Sequence, residues 1–169
     1  SKKLTISNTL ETYELPANRV TDIERSPGGD RQYLGQPDMV RTSTGRLITA
    51  YPKGHGKGPI IMQISDDNGE TWIEKNNTPS SWIGSQETPT LYVLPLENGK
   101  ERIMMITACP GWGTDSNGNK TGWNTSYSDD NGDTWTEYKH WYSKHENGKE
   151  NKSIVGMASL VQLKDESGN

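Results

Sequence analysis

The segment Ser65–Trp72 reads SDDNGETW, and it decides the fold because it returns as SDDNGDTW at Ser128–Trp135. The two copies differ at one position, where a glutamate is replaced by an aspartate. Each copy follows a short strand-like run, Pro59–Ile64 or Trp123–Tyr127, and its tryptophan opens a second run. A motif repeated between strand-like runs predicts a hairpin turn that is used twice in a repeated β architecture.

The residue types of the motif predict how each turn is locked. Glycine at the fifth position can take the positive φ that a tight turn demands. The aspartate at the third position can accept backbone N–H groups inside the turn, and the tryptophan can fold back over it. These roles are structural rather than catalytic, and they fall to Ser65, Asp67, Gly69, Thr71 and Trp72 in the first copy and to Ser128, Asp130, Gly132, Thr134 and Trp135 in the second.

The flanks of the motif repeat as well. Asp38–Arg41 and Arg46–Tyr51 precede the first copy, Thr90–Leu94 and Arg102–Thr107 precede the second, and Met157–Leu163 opens a third unit. One unit therefore reads strand, turn, strand, long loop, strand, motif, strand. This order is typical of the four-stranded antiparallel blade of a β-propeller, so the sequence predicts an all-β fold.

Composition is consistent with an incomplete propeller. We predict a first blade at about 33–80, a second at about 87–150 and the start of a third at about 155–169, so that residues 1–169 form the N-terminal part of a single β-propeller domain. Hydrophobic residues make up only 29% of the chain, which is low for a self-sufficient core, and the remaining blades are the expected partner. The net charge of -4 gives no reason to expect nucleic acid, and no apolar run approaches the ~20 residues of a membrane span.

Both copies match the pattern S-x-D-x-G-x-T-W at every specified position, and in this the chain resembles the sialidase (neuraminidase) superfamily, whose Asp-box or BNR repeats carry that pattern. The resemblance extends over Tyr33–Leu163. It implies a six-bladed propeller, of which this chain supplies roughly two blades and the start of a third. It also implies a secreted or cell-surface glycoside hydrolase, exo-acting on terminal sugars of glycoconjugates, for which no cofactor is expected.

Two positions depart from what the resemblance implies. A sialidase carries a catalytic arginine in an Arg-Ile-Pro motif at the head of the first inner strand, where this chain has Gly35–Pro37. The acid/base aspartate of sialidases lies in the loop that here reads Gly54–Gly58 and contains no aspartate. The resemblance therefore predicts the fold more firmly than the reaction.

The strand order predicts where chemistry can take place. Successive connections of an up-and-down blade alternate between two ends, so the end opposite the Asp boxes collects the long loops and the heads of the inner strands. His55, Glu87 and Asp38 are the catalytic candidates at that end, because histidine and carboxylates perform general acid and base chemistry. The candidates for substrate binding are Gln36, Lys53, Lys57, Gln86 and Trp112.

Two other functions fit the same residues. His55, Asp38 and Glu87 could together hold a divalent metal that activates water, as in a metal-dependent amino-sugar deacetylase built on the propeller scaffold. A non-catalytic glycan-binding propeller is the other alternative. The sequence leaves all three functions open.

Overall fold

The protein folds into two antiparallel sheets of four strands each. Its structure is a computed structural model that describes residues 21–26, 34–54, 58–84, 87–109, 116–119, 121–141, 146–149 and 160, and in these residues it contains no α-helix. The first sheet consists, in spatial order, of β1 (Asp38–Arg41), β2 (Leu47–Pro52), β3 (Ile60–Ser65) and β4 (Ile73–Glu74). The second consists of β5 (Glu87–Pro95), β6 (Glu101–Ala108), β7 (Trp123–Ser128) and β8 (Lys139–Trp141). The predicted all-β class is confirmed.

The hydrophobic core lies between the two sheets. Alternation along β2 turns Ile48 and Ala50 toward the second sheet, and both are fully buried. Met105 on β6 is equally buried on the other side of the core. The complete buried cluster comprises Ile48, Ala50, Ile60, Met62, Trp82, Leu91, Ile103, Met105 and Tyr138.

Trp82 is the largest side chain of this core. It lies on a short 3-10 helix, Ser80–Ile83, in the connection between the two sheets, and it is 1% exposed. Its ring meets Trp135 edge to face at 5.3 Å between centroids and stacks on Tyr138 at 6.0 Å. No pattern in the sequence singles out Trp82. Because Trp82 is buried, the connection that carries it forms part of the core.

Each SDDNG turn is locked by its own side chains, as the motif predicts. The hydroxyl of Ser65 donates to Oδ1 of Asp67 at 2.7 Å and accepts the Gly69 N–H at 2.8 Å. Asp67 Oδ1 also accepts the Thr71 N–H at 2.9 Å, and the Trp72 indole donates to the Gly69 carbonyl at 3.2 Å. Both turn glycines have positive φ, and the second copy repeats the whole set of bonds.

The hydrogen bonds that Asp67 accepts in the turn predict that the stability of the protein falls at acidic pH. Hydrogen bonds from the Thr71 side chain and backbone, and from Ser65, lower the pKa of Asp67 from 3.8 to about 2. A carboxyl whose pKa is depressed by folding stabilises the folded state above its unfolded pKa, and this stabilisation disappears as the pH falls through the folded pKa. We therefore expect the urea midpoint of unfolding to fall between about pH 5 and pH 2, and Asp67→Asn to reduce that dependence.

Glu70→Gln is the matched control for this experiment, because Glu70 is exposed in the same turn and takes no part in the lock. Its pH dependence should follow the unsubstituted protein. An unchanged dependence in Asp67→Asn would show that the lock does not titrate in this range.

Arg46 joins the motif ends of the two sheets. Its guanidinium makes a two-pronged contact with Asp66, at 2.7 and 3.0 Å, and its Nη1 reaches Asp133 of the second motif at 2.6 Å. The hydrogen bond from Arg46 lowers the pKa of Asp66. Planar bidentate pairs of this kind fix geometry as well as charge. The two sheets are thus held in register at the end that carries the motifs.

Candidate active site

The predicted site lies at the opposite end of the sheets, where the first strand of each sheet, β1 or β5, begins with a bulge; these are the two strands predicted to be the inner strands of their blades. Leu34 pairs with Lys53, and Asp38 pairs with Ala50. The segment from Leu34 to Asp38 is therefore one residue longer than the segment from Ala50 to Lys53 that lies opposite it. In the second sheet the register shifts in the same way between Glu87 and Thr90. Bulges re-aim side chains and occur frequently next to active sites.

The bulges force unusual backbone conformations on two matched residues. Gln36 has φ +48° and Thr88 has φ +44°, and each is followed directly by a proline. Positive φ is uncommon for residues other than glycine, and a following proline further restricts the residue before it to extended conformations. The Gln-Pro and Thr-Pro pairs at the two strand heads were the sequence signal for this shared geometry.

Asp38 links the two inner strands. Its Oδ1 accepts the backbone N–H of Met39 at 2.8 Å, and its Oδ2 accepts the backbone N–H of Leu91, on β5, also at 2.8 Å. Its carbonyl oxygen accepts the hydroxyl of Thr49 at 2.9 Å. The sequence predicts a catalytic carboxylate here; the contacts give Asp38 a structural function that the sequence did not indicate, and the catalytic role stays a prediction.

Glu87 begins β5 and is completely buried. Its backbone pairs with Ala108, at the end of β6. The structure therefore brings both predicted carboxylates, Asp38 and Glu87, to the same end of the molecule on neighbouring inner strands. The carboxyl of Glu87 is enclosed by protein, whereas that of Asp38 is half-buried.

The predicted binding residues Gln36 and Lys53 are both exposed. Gln36 lies at the head of the first inner strand. Lys53 follows β2 and lies in a groove with Tyr51, on the face of the first sheet that is turned away from the second. The groove is also lined by Glu24, Arg25, Leu34, Ile61 and Glu74, so both signs of charge meet there.

The other predicted site residues lie outside the described residues, and their roles stay predictions. These are His55, Lys57, Gln86 and Trp112. Within the described ranges, no group of three or more histidine, cysteine, aspartate or glutamate side chains could hold a metal ion. The metal site predicted from His55, Asp38 and Glu87 stays a prediction, because His55 lies outside the described residues.

A buried polar chain at the same end was missed by the sequence analysis. His140 Nδ1 lies 2.9 Å from Asn124 Oδ1, and the Asn124 amide donates to the Cys109 sulfur at 3.7 Å. Asn124 and Cys109 are fully buried. Only the strand register, which places Asn124 opposite His140, brings these distant residues together. Satisfied buried networks of this kind make a core rigid and specific.

The loops that lead to the site are closed by matched hydrogen bonds. The Lys53 N–H donates to the Pro59 carbonyl at 2.9 Å in the first sheet, and the Cys109 N–H donates to the Gly122 carbonyl at 3.0 Å in the second. Both loops therefore leave and re-enter their sheets at fixed points. The predicted His55 and Lys57 lie within the first loop, and Trp112 lies within the second.

No protein-family model and no curated protein sequence matches this chain. A search of the described residues for a helix long and apolar enough to cross a membrane finds none.

Proposed function

We propose that the two sheets are blades of a six-bladed, sialidase-like Asp-box propeller, and that this protein is an exo-acting glycoside hydrolase that removes terminal sugars from glycoconjugates. Secretion or display at the cell surface would bring the enzyme to such substrates. The propeller is supported by the equivalence of the two four-stranded sheets. Each sheet has the motif at one end, and its first strand begins with a bulge at the other.

The observation that supports the proposed reaction is that Asp38 and Glu87 each begin a strand, β1 and β5, at the same end of the two sheets. Glycoside hydrolysis requires a pair of carboxyl groups, of which one protonates the leaving oxygen and the other acts as base or nucleophile. In this proposal Asp38, Glu87 and His55 perform the acid and base steps. Gln36, Lys53, Lys57, Gln86 and Trp112 contact the sugar.

A non-catalytic glycan-binding propeller is the second candidate. Two observations favour it: both carboxylate oxygens of Asp38 accept backbone N–H groups, and Glu87 is fully enclosed. Carboxylates engaged in this way maintain the shape of a site. In this case the exposed Gln36 would bind sugar without turnover.

The test uses the intact protein with a mixture of sialylated and N-acetylhexosamine-capped glycans, with and without a chelator, and mass spectrometry of the products. We expect the loss of a whole terminal sugar that is insensitive to chelator. Glu87→Gln should reduce the rate by about 100-fold or more, because a general acid or base contributes that much. Glu97→Gln, in the turn that follows β5, is the matched control and should keep full activity.

Each alternative result has its own meaning. Loss of only an acetyl group, abolished by chelator, would replace the proposal with the metal-dependent deacetylase. Saturable binding without any product would establish the glycan-binding function. Neither binding nor turnover across the panel would reject a glycan-directed function for these sugars.

A further inference from the structure

The two sheets carry an arginine at equivalent positions. Arg46 precedes Leu47, which pairs with the first serine of its motif. Arg102 precedes Ile103, which pairs with the first serine of the second motif. Each guanidinium makes a two-pronged ion pair with the second residue of its own motif, and Arg102 contacts Asp129 at 2.7 Å through both Nε and Nη2. The repeat therefore places the same planar fork at the same point of both sheets.

The two arginines differ in what Nη1 contacts. Nη1 of Arg46 continues across the interface to Asp133 and to the carbonyl of Asn131 in the second sheet. Nη1 of Arg102 has no acceptor among the residues that the structure describes, and the Arg102 side chain is 32% exposed against 15% for Arg46. Its guanidinium is nevertheless held in place, 3.9 Å from the centre of the Tyr127 ring.

The surface around Arg102 repeats a face that is buried in the first sheet. Alternation along β6 turns Met104 and Ile106 away from the first sheet, because the residues beside them on that strand lie in the core. Their register positions are those of Ile48 and Ala50 in β2, which are completely buried against the second sheet. Met104 and Ile106 are only half-buried. The outward face of the second sheet comprises these two residues together with Tyr92, Arg102 and Tyr127.

A later part of the chain lies on this outward face. Tyr92 pairs directly with Met104, and the Tyr92 hydroxyl forms a hydrogen bond with the backbone of Leu160. Leu160 belongs to the run Met157–Leu163, which is predicted to open a third unit. Consecutive structural units usually lie next to each other in space. The contact therefore indicates what covers the outward face.

We propose that the outward face is the docking surface of a third sheet, opened by the segment that contains Leu160, and that Nη1 of Arg102 binds a carboxylate in the motif turn of that sheet. The precedent is Arg46, whose Nη1 binds the residue at the sixth position of the neighbouring motif. That position is acidic in both motifs, as Glu70 and Asp133. The proposal rests on the proposed propeller but not on the proposed reaction.

The test asks whether Arg102 has an acceptor beyond its described partners. In the intact protein, Asp129→Asn together with Tyr127→Leu removes both of those partners. Arg102→Met is then added to this background, and the melting temperature is measured by calorimetry. Arg46→Met in an Asp66→Asn background is the matched reference, because Arg46 keeps its acceptor in the second sheet there.

We expect Arg102→Met to lower the melting temperature of its background by about 3 °C or more, as the loss of a charged hydrogen bond does. Arg46→Met should lower its own background by a similar amount. Arg41 is exposed and has no ion pair in the described part of the chain, so Arg41→Met should change the melting temperature by no more than about 2 °C.

A second measurement uses the unsubstituted protein. Phenylglyoxal modifies accessible guanidinium groups, and mass spectrometry of the peptides gives the rate at each arginine. Arg102 should react as slowly as Arg46, because both are covered by a neighbouring sheet, whereas the exposed Arg41 should react fast.

Three results would overturn parts or all of the proposal. No further fall in melting temperature, with Arg102 as reactive as Arg41, would leave Arg102 open to solvent and reject the docking surface. Slow modification without a further fall would reject the ion pair. Protection of Arg102 that disappears on dilution would assign the outward face to a second copy of the chain instead of a third sheet. Neither measurement involves a glycan, so the docking surface and the proposed hydrolase can fail separately.

Discussion

Replacing Trp82 by alanine is expected to reduce the free energy of unfolding by about 3–5 kcal/mol, as is usual when a large aromatic side chain is removed from a core. Trp82 is 1% exposed, and it fills the space between the two sheets, where it contacts both Trp135 and Tyr138. Deleting it leaves a cavity that the sheets cannot close, because Arg46 at the motif end and Asp38 at the other hold them apart at fixed positions. Urea unfolding followed by circular dichroism measures the loss.

Ile83→Ala is the matched control for Trp82→Ala. Ile83 is the next residue on the same 3-10 helix, but it is 71% exposed, so its truncation should change stability by no more than about 0.5 kcal/mol. A loss of similar size in the two variants would mean that the helix itself, rather than the Trp82 ring, connects the sheets. Ser81 offers an internal check, because its hydroxyl accepts the Tyr138 N–H at 2.8 Å and this bond should persist in Ile83→Ala.

The sequence predicted most of the fold because its information is local and repeated. The lock of each SDDNG turn involves residues at most four positions apart, so the motif letters nearly determine its hydrogen bonds. The run Arg46–Tyr51 was likewise predicted as a strand, and the structure forms β2 over Leu47–Pro52. The ion pair between Arg46 and Asp133 could not be predicted, because the two residues are 87 positions apart in the chain.

The candidate site was predicted less completely, for the same physical reason. Strand order alone brings Asp38 and Glu87 to one end, and the structure places them there. The bond from Leu91 to Asp38 and the chain from His140 through Asn124 to Cys109 depend on how two sheets stack and how distant strands pair. Neither feature leaves a periodic or short-range signature. Composition identifies which residues can do chemistry, while tertiary packing decides which of them meet.

Replacing Gly122 by alanine is expected to destabilise the second sheet by at least about 3 kcal/mol, because two independent costs add. Gly122 has φ +88°, and a Cβ on it would lie 2.2 Å from the carbonyl oxygen of Trp141, which is backbone and cannot rotate away. The same Cβ would lie 3.1 Å from the ring of His140. The chain must therefore move at the point where the Gly122 carbonyl closes the loop to Cys109. Urea unfolding measures the loss, and the NMR shifts of the His140 ring report whether its contact with Asn124 survives.

Gly99→Ala separates the two costs. Gly99 also has positive φ, +74°, but a Cβ there meets nothing within 4 Å, so only the backbone term of about 1–2 kcal/mol should appear. The difference between the two variants then measures the close approach of Gly122 to Trp141. Equal losses of stability in the two variants would mean that the end of β8 can move to accommodate the new Cβ. In that case the loop would not hold the hydrogen-bonded residues His140, Asn124 and Cys109 rigid. A larger loss in Gly122→Ala, together with a displaced His140 ring, would establish that this glycine keeps the second sheet closed at the end where the candidate site lies.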